Sequence, residues 1–527
     1  MLDDVVANYL ETLSELDFFD AFQAILRANG FYDISRTHGS AEFGRDFIAK
    51  RSEKGVLWQY AIQTKAGNIN QQGWRNVLGQ INEIRLQTTS NPGFDPGLPR
   101  RAVLATTGRL VGNAPTGAHD YKLHHDSENF VFEVWPVEHL LEMMVDAPEI
   151  GLAGGMEAPI LGAIAAIHVR TFTEQHLEEL SLNWIEDGSS RLWRSALVAL
   201  VIAARLARSG RTDLASLVGA HLVRSVWASV HGEEPAPKTA VAVANVGSAL
   251  LRYHARSLLA ELSELPAGSR GLIWATQDVG TIVTYPIRCL RLLELFGLAG
   301  LAEIDADARR EFIRACQQLI ADQPGAWHPP SDNWAVSIIP AALLLWHDDA
   351  ELVGKWLEQV CVWVADRYDR GETGLARPLA SAEEEVRQLL GGRFGFMKVR
   401  RRPESFIASV LLDLSAALEL PDVYNAIVNE VMAVEACPQV VECDDDQSQY
   451  RDTLEGVRIE LWMRYDERFD TQSGWQCAPH HRRFTPHYLE RLGRYWDFLV
   501  LSTVMRDRCF PSVIREIAGL PVLAGEP

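Results

Sequence analysis

The sequence predicts a multidomain protein, an N-terminal α/β domain followed by a large all-α region. Three observations carry this prediction. The chain has 527 residues, too many for one ordinary hydrophobic core. Up to about residue 146 the apolar residues switch between a period of 2 and a period of 3.6, the mark of alternating strands and helices. After Ala153-Gly154-Gly155 the apolar segments keep the helical period. The expected domains are 1–150, a linker over 151–170, and a helical sensor or oligomerisation domain over 171–527 with a sub-boundary near 380–404.

The first elements follow from spacing. A long amphipathic helix is expected from about Val5 to Asn29, with Leu10, Leu13, Phe18, Phe22, Ile25 and Leu26 on its apolar side and Gly30 as its cap. Short strands are expected over Phe31–Ser35 and Asp46–Lys50. The clearest strand is Val56 to Lys65, where Trp58, Tyr60 and Ile62 alternate with Gln59, Ala61 and Gln63. A helix over about 71–87 follows, then a turn-rich loop from Asn91 to Gly97. Ala102–Thr107 reads as a buried strand, the residues after Asn113 as a helix, and Phe130–Trp135 as a last strand before a helix closing at Met144. Beyond the linker, helices are expected around 191–209, 212–230, 237–263, 283–298, 307–322, 334–346, 350–368, 405–418, 422–434, 450–466 and 486–506. No fixed repeat signature emerges from them.

Composition excludes several classes. A content of 47% hydrophobic and 23% charged residues is globular. Mean hydropathy is -0.06, and no apolar run reaches the ~20 residues of a membrane helix. The acidic start, Met1-Leu2-Asp3-Asp4, does not resemble a secretory signal. A cytoplasmic protein is expected. Its seven cysteines, Cys289, Cys316, Cys361, Cys437, Cys443, Cys477 and Cys509, are odd in number and favour reduced thiols over a disulfide framework. The net charge of -20 excludes a general nucleic-acid coat protein, so any DNA contact must be local. No GxxxxGK phosphate loop is present, which argues against an ATP-driven motor.

The chemistry lies in Glu42-Phe43-Gly44-Arg45-Asp46 and, one hairpin later, Gln59-Tyr60-Ala61-Ile62-Gln63-Thr64-Lys65. The spacing of Gln63 and Lys65 puts both on one sheet face, with Ile62 and Thr64 on the other. If the strands pair, Asp46 lies beside Gln63. Phosphodiester hydrolysis needs such a set: oxygen ligands for Mg²⁺ and a cation to orient the attacking water.

This region resembles the PD-(D/E)xK nuclease superfamily and, within it, the Mrr-type restriction endonucleases, where glutamine often replaces the first acid of the (D/E)xK pair. The resemblance spans roughly residues 12–146. It includes Asp17-Phe18-Phe19-Asp20 on the first helix, Val103-Leu104-Ala105-Thr106-Thr107-Gly108 as a later strand, and Phe132-Glu133-Val134-Trp135 before Leu140-Leu141. It implies a restriction-endonuclease-like α/β/α domain with a mixed central sheet. It also implies a DNA endonuclease dependent on Mg²⁺ or Mn²⁺, with a role in restriction or anti-phage defence. Asp46 would be the metal ligand, Gln63 the second ligand position, Lys65 the catalytic lysine and Asp20 the helix acid. The Thr64 carbonyl is a further ligand candidate, because Gln63 lacks the charge of a carboxylate. Glu42 and Gln80 are accessory candidates, and Arg45 is a candidate nucleic-acid contact. The alternative is a catalytically weak or inactive protein that uses the nuclease fold as a nucleic-acid-binding scaffold; an RNA-directed nuclease is a third option. Two opposed sites are needed to break both strands, so a homo-oligomer, most simply a dimer, is expected. A partner protein or activating ligand of the helical domain is left open.

Other signals are weaker. Lys398, Arg400, Arg401 and Arg402 form the only dense basic cluster, a solvated loop or a candidate nucleic-acid patch. Cys437, Cys443, Cys477, His480 and His481 could hold zinc, but buried thiols and a surface histidine pair are the preferred reading. The segment Trp327-His328-Pro329-Pro330-Ser331-Asp332-Asn333-Trp334 is read as a packed turn in preference to a pocket wall.

Overall fold

Ser14 divides the long N-terminal helix expected over Val5–Asn29 into α1 (Leu2–Thr12) and α2 (Glu15–Ala28). Leu13 and Ser14 are extended, and the Ser14 side chain accepts a hydrogen bond from the Asp17 N–H at 3.2 Å. That bond satisfies one of the free N–H groups of the α2 first turn. The restart places Glu15 at the first position of α2, which matters for the site. The computed structural model describes residues 1–37, 44–86, 93–144, 148–152, 158–230, 233, 236–263, 281–369, 404–438 and 495–504.

Five strands follow: β1 (Tyr32–Arg36), β2 (Phe47–Glu53), β3 (Val56–Lys65), β4 (Arg100–Thr106) and β5 (Phe130–Trp135). They lie in chain order in one mixed sheet, antiparallel from β1 to β3 and parallel from β3 to β5. A tight turn at Lys54-Gly55 joins β2 to β3, with Phe47 opposite Ile62. Helices α3 (Gln71–Leu86) and α4 (Ala114–His125) cover one face over a core of Ala61, Trp74, Val77, Ile81, Leu104 and Phe132. On the other face, α2 and α5 (Val137–Met144) meet a set of aromatic rings. Phe22, Phe31, Phe47, Tyr60 and Trp135 stack there at centroid distances of 4.9–6.4 Å. Each such buried ring contributes on the order of 1.5–3 kcal/mol. The alternation of Tyr60 and Ala61 along β3 supplies both cores from one strand.

The chain divides into two compact units, Met1–Ile164 with Trp193–Val201, and Ala165–Leu192 with Ile202–Pro527. Among its described residues the second has helices as its regular elements, apart from a two-residue pairing of Glu404–Ser405 with Cys437–Pro438. Helices over Leu192–Arg208, Thr212–Ser229, Lys238–Ser263, Ala306–Asp322, Ala350–Asp369, Phe406–Ala417 and Pro421–Ala433 match the expected segments closely. Two were not expected: Glu174–Asp187, and Ala158–His168 within the stretch read as a linker. The segment 450–466 lies outside the described residues, and 486–506 is described only as the helix Tyr495–Val504. Trp327–Trp334 is a packed turn: the Trp327 Nε1 donates to the Ile320 carbonyl at 2.7 Å, and Ser331 to Trp334 are buried. Cys289, Cys316 and Cys361 are buried free thiols, and burial pushes Cys289 and Cys361 up to about 12. Among the described residues no helix is long and apolar enough to cross a membrane.

Candidate active site

Asp46 precedes β2 and is held by its backbone, its N–H donating to the Ile62 carbonyl at 2.8 Å and its carbonyl accepting from the Thr37 N–H at 2.9 Å. Its side chain, 8% exposed, turns to the end of β3. There Oδ2 accepts three hydrogen bonds: from Gln63 Nε2 at 2.8 Å, the Thr64 N–H at 2.7 Å and the Thr64 hydroxyl at 2.7 Å. Gln63 and Thr64 are both buried. Thr64, expected on the opposite face, thus reaches the same oxygen as Gln63. At the end of β3, Lys65 Nζ lies 2.9 Å from Glu15 Oε1 on α2.

Burial raises the Asp46 carboxyl above the ordinary carboxylate range. The Thr64 N–H, the Thr64 hydroxyl and the Lys65 charge pull the other way, and the Glu15 charge adds to the rise.

Two glycines let the chain close around this group. Gly44 has φ +75, and a Cβ there would collide with the Gln80 backbone on α3. Gly108 lies against Gly67 and Asn68 so closely that no side chain fits. Around it, Thr106 Oγ1 donates to the Gly67 carbonyl at 2.6 Å, and the Gly67 N–H donates to Thr107 Oγ1 at 2.8 Å. The Thr107 N–H reaches the Lys65 carbonyl at 3.2 Å. The Thr106-Thr107-Gly108 segment therefore clamps the chain immediately after Lys65.

Other expected residues fall elsewhere. Asp20 lies on α2 with its carboxylate 3.9 Å from Arg36, and the α2 acid that meets Lys65 is Glu15. Arg45 does not offer its guanidinium to a ligand. It is fully buried over the Phe94 ring at 5.3 Å, and burial and the neighbouring Arg100 lower it to about 10. Gln80 is half-buried; its backbone supports Gly44, and no hydrogen bond joins its side chain to Asp46, Gln63 or Lys65. Glu42, Lys398, Arg400, Arg401 and Arg402 lie outside the described residues, as do Cys443, Cys477, His480 and His481 of the zinc candidate. Glu15 escaped the sequence reading, although Ser14-Glu15-Leu16-Asp17 carries a helix-start pattern that would have found it.

Gln63 Nε2 sits between two acceptors, Asp46 Oδ2 and the Thr64 carbonyl at 3.3 Å. Neither an ionised carboxylate nor a carbonyl can donate, so this arrangement needs the NH₂ side of the amide. Turned over, the amide presents Oε1 beside the same two oxygens, a set of hard donors suited to Mg²⁺ or Mn²⁺. The residues therefore fit a divalent cation, with a single carboxylate in the set. Among the described residues no group of three or more His, Cys, Asp or Glu side chains could hold a metal.

Residues 10–89 match the family model Mrr_cat, described as restriction endonuclease. The match takes in α2, β1 to β3 and α3, and stops before the Thr106-Thr107-Gly108 strand. No curated protein matches the chain, and no solved structure does. The chain thus carries a restriction-endonuclease domain of the PD-(D/E)xK superfamily over residues 10–89, followed by a large helical region without an assigned family.

Proposed function

We propose that the protein is a DNA endonuclease dependent on Mg²⁺ or Mn²⁺ and acting in restriction or anti-phage defence. One observation carries this reading: Asp46, Gln63, Thr64, Lys65 and Glu15 converge at the end of β3 inside the matched domain. Asp46, the Thr64 carbonyl and the turned Gln63 amide would hold the cation. When bound, it polarises the scissile phosphate and offsets its charge. Lys65 orients the attacking water and stabilises charge on the phosphoryl oxygens. Glu15 fixes the Lys65 ammonium.

In this reading residues 1–150 cut and 171–527 sense or oligomerise, with a partner protein or activating ligand as the trigger. The protein acts in the cytoplasm, a setting that suits its buried free thiols. A homodimer would present two sites to the two strands.

A second reading, a non-catalytic nucleic-acid-binding scaffold, is favoured by the Gln63 amide where a second carboxylate would strengthen the site. Nicking of supercoiled plasmid by the purified protein decides between them. The enzyme reading expects nicking that requires Mg²⁺ or Mn²⁺ and is lost in Lys65→Ala. The scaffold reading expects binding without nicking.

A further inference from the structure

Acidic residues number 70 in 527, about one in seven or eight, so most of this surface repels a polyanion. Within residues 1–150, two stretches of more than twenty residues contain none: residues 54–82 and residues 96–119. The first holds β3 and most of α3, the second β4 and the start of α4. Because β3 and β4 run parallel and side by side, both stretches leave the sheet at the end that carries Lys65. There Ile69 bridges Leu110, and the Arg109 N–H donates to Asn68 Oδ1 at 2.8 Å. Crevices at the carboxyl ends of parallel strands are the usual ligand sites of open α/β sheets.

The two stretches bring no acid of their own to this end, where Glu15 meets Lys65 and Glu11 and Glu138 meet Arg109, and the outer face of α3 continues from it. Gln72, Arg75, Asn76 and Gly79 follow one another at helical spacing and are all exposed, while Trp74, Val77, Ile81 and Ile84 are buried in the core. The first acid on the helix is Glu83, exposed one turn beyond Gly79 on the same stripe, so the acid-free part of this face ends at Gly79. Arg109 is engaged by Glu138 and approaches Glu11 at 3.9 Å, whereas Arg75 has no ion-pair partner among the described residues. Gln72 Nε2 donates to Asn76 Oδ1 at 3.0 Å. That leaves the Gln72 Oε1 acceptor and the Asn76 Nδ2 donor uncommitted, the pair of functions an adenine edge takes. Gly79 lies inside the helix, and a Cβ there would meet nothing within 4 Å. A glycine at such a position weakens the helix and answers no packing need of this fold.

We propose that this face of α3 seats duplex DNA beside the scissile phosphate. Arg75 binds a backbone phosphate, Gln72 and Asn76 face the groove, and Gly79 admits the closest approach of the backbone. The proposal rests on the nuclease reading and goes beyond it by naming the recognition surface.

The test uses the full-length protein and a short labelled duplex. Binding is measured without divalent cation across a salt series, and plasmid nicking with Mg²⁺ is followed in parallel. Arg75→Ala is expected to weaken binding by roughly three- to tenfold and to lower the slope of log affinity against log salt by about 0.9. Gly79→Glu is expected to weaken binding by roughly tenfold or more, while its Tm equals or exceeds that of the parent, because glutamate is the better helix former. A parent that binds and nicks DNA while both variants bind like it would overturn the assignment of this face and leave the nuclease reading standing. So would variants that keep DNA affinity but change the oligomeric state, which would give the face to a second copy of the chain. Preference of the parent for RNA, lost in the variants, overturns the DNA assignment. A parent that neither binds nor nicks DNA brings down both.

Discussion

Lys65 Nζ and Glu15 Oε1 lie 2.9 Å apart, joining the end of β3 to the first turn of α2 across fifty residues of sequence. Both side chains are partly open to solvent, 27% and 41% exposed. The pair is therefore worth only about 0–1 kcal/mol to the fold. In the proposed site its significance is positional: it would hold the ammonium whose charge acts on the Asp46 carboxyl.

Glu15→Gln is expected to slow nicking by roughly ten- to hundredfold, the usual cost of losing a group that orients a neighbour. Asp20→Asn is expected to change the rate little, because Asp20 faces Arg36. Rate measurements at saturating Mg²⁺, with Tm as the check on folding, separate the two acids. A larger loss in Asp20→Asn than in Glu15→Gln would reverse the assignment.

Asp46→Asn is expected to abolish nicking and to leave the fold at least as stable. Burial raises the Asp46 carboxyl in the folded chain, so the folded state holds this proton more tightly than the unfolded state does. The contribution of Asp46 to stability is then full below its unfolded value and lost as pH rises through its folded value. At neutral pH the ionised carboxylate is a cost that asparagine removes, so the Tm should rise rather than fall. Thermal melts of both proteins from neutral to acidic pH check this, and the gain should shrink as pH falls into the ordinary carboxylate range.

In the proposed nuclease the same raised carboxyl would set the acid limb of activity. Cation binding requires ionised Asp46, so protons compete for the site at a higher pH than for an ordinary aspartate. At limiting Mg²⁺, nicking should fall on acidification before the ordinary carboxylate range is reached, and saturating Mg²⁺ should move the limb to lower pH. A limb unmoved by Mg²⁺ would assign the titration to another group.

Gly44→Ala is expected to destabilise the domain by about 2–4 kcal/mol. The positive φ and the collision with the Gln80 backbone act together there. Urea unfolding should show a lower midpoint for this variant.

Strand and helix were legible where the period is clean. Val56–Lys65 and Phe130–Trp135 emerge with the expected bounds, because the alternation of Tyr60 and Ala61 records burial on two sheet faces. The break at Ser14 was missed because Leu10, Leu13 and Phe18 keep an apolar stripe through it, and a stripe does not register a cap. Glu15 was missed with it. Asp46, Gln63 and Lys65 were legible as a pattern, and Asp46 does meet Gln63 at 2.8 Å. The second contact of that carboxylate, with Thr64, was not legible, because strict alternation sends Thr64 to the far face and only the geometry at a strand end brings it back. Arg45 was misread for a related reason: sequence places a cation next to Asp46 but does not show it folding beneath Phe94.

A magnesium titration of supercoiled-plasmid nicking, run on the parent, Lys65→Ala, Asp46→Ala and Gln63→Glu, tests the assigned site most directly. Lys65→Ala and Asp46→Ala should lose cutting at every Mg²⁺ concentration while remaining folded. Gln63→Glu should shift half-maximal cutting to lower Mg²⁺, because a carboxylate replaces the amide beside Asp46 and Thr64. Undiminished cutting by Lys65→Ala and Asp46→Ala would contradict the site, and with it the assignment of nuclease chemistry to the end of β3.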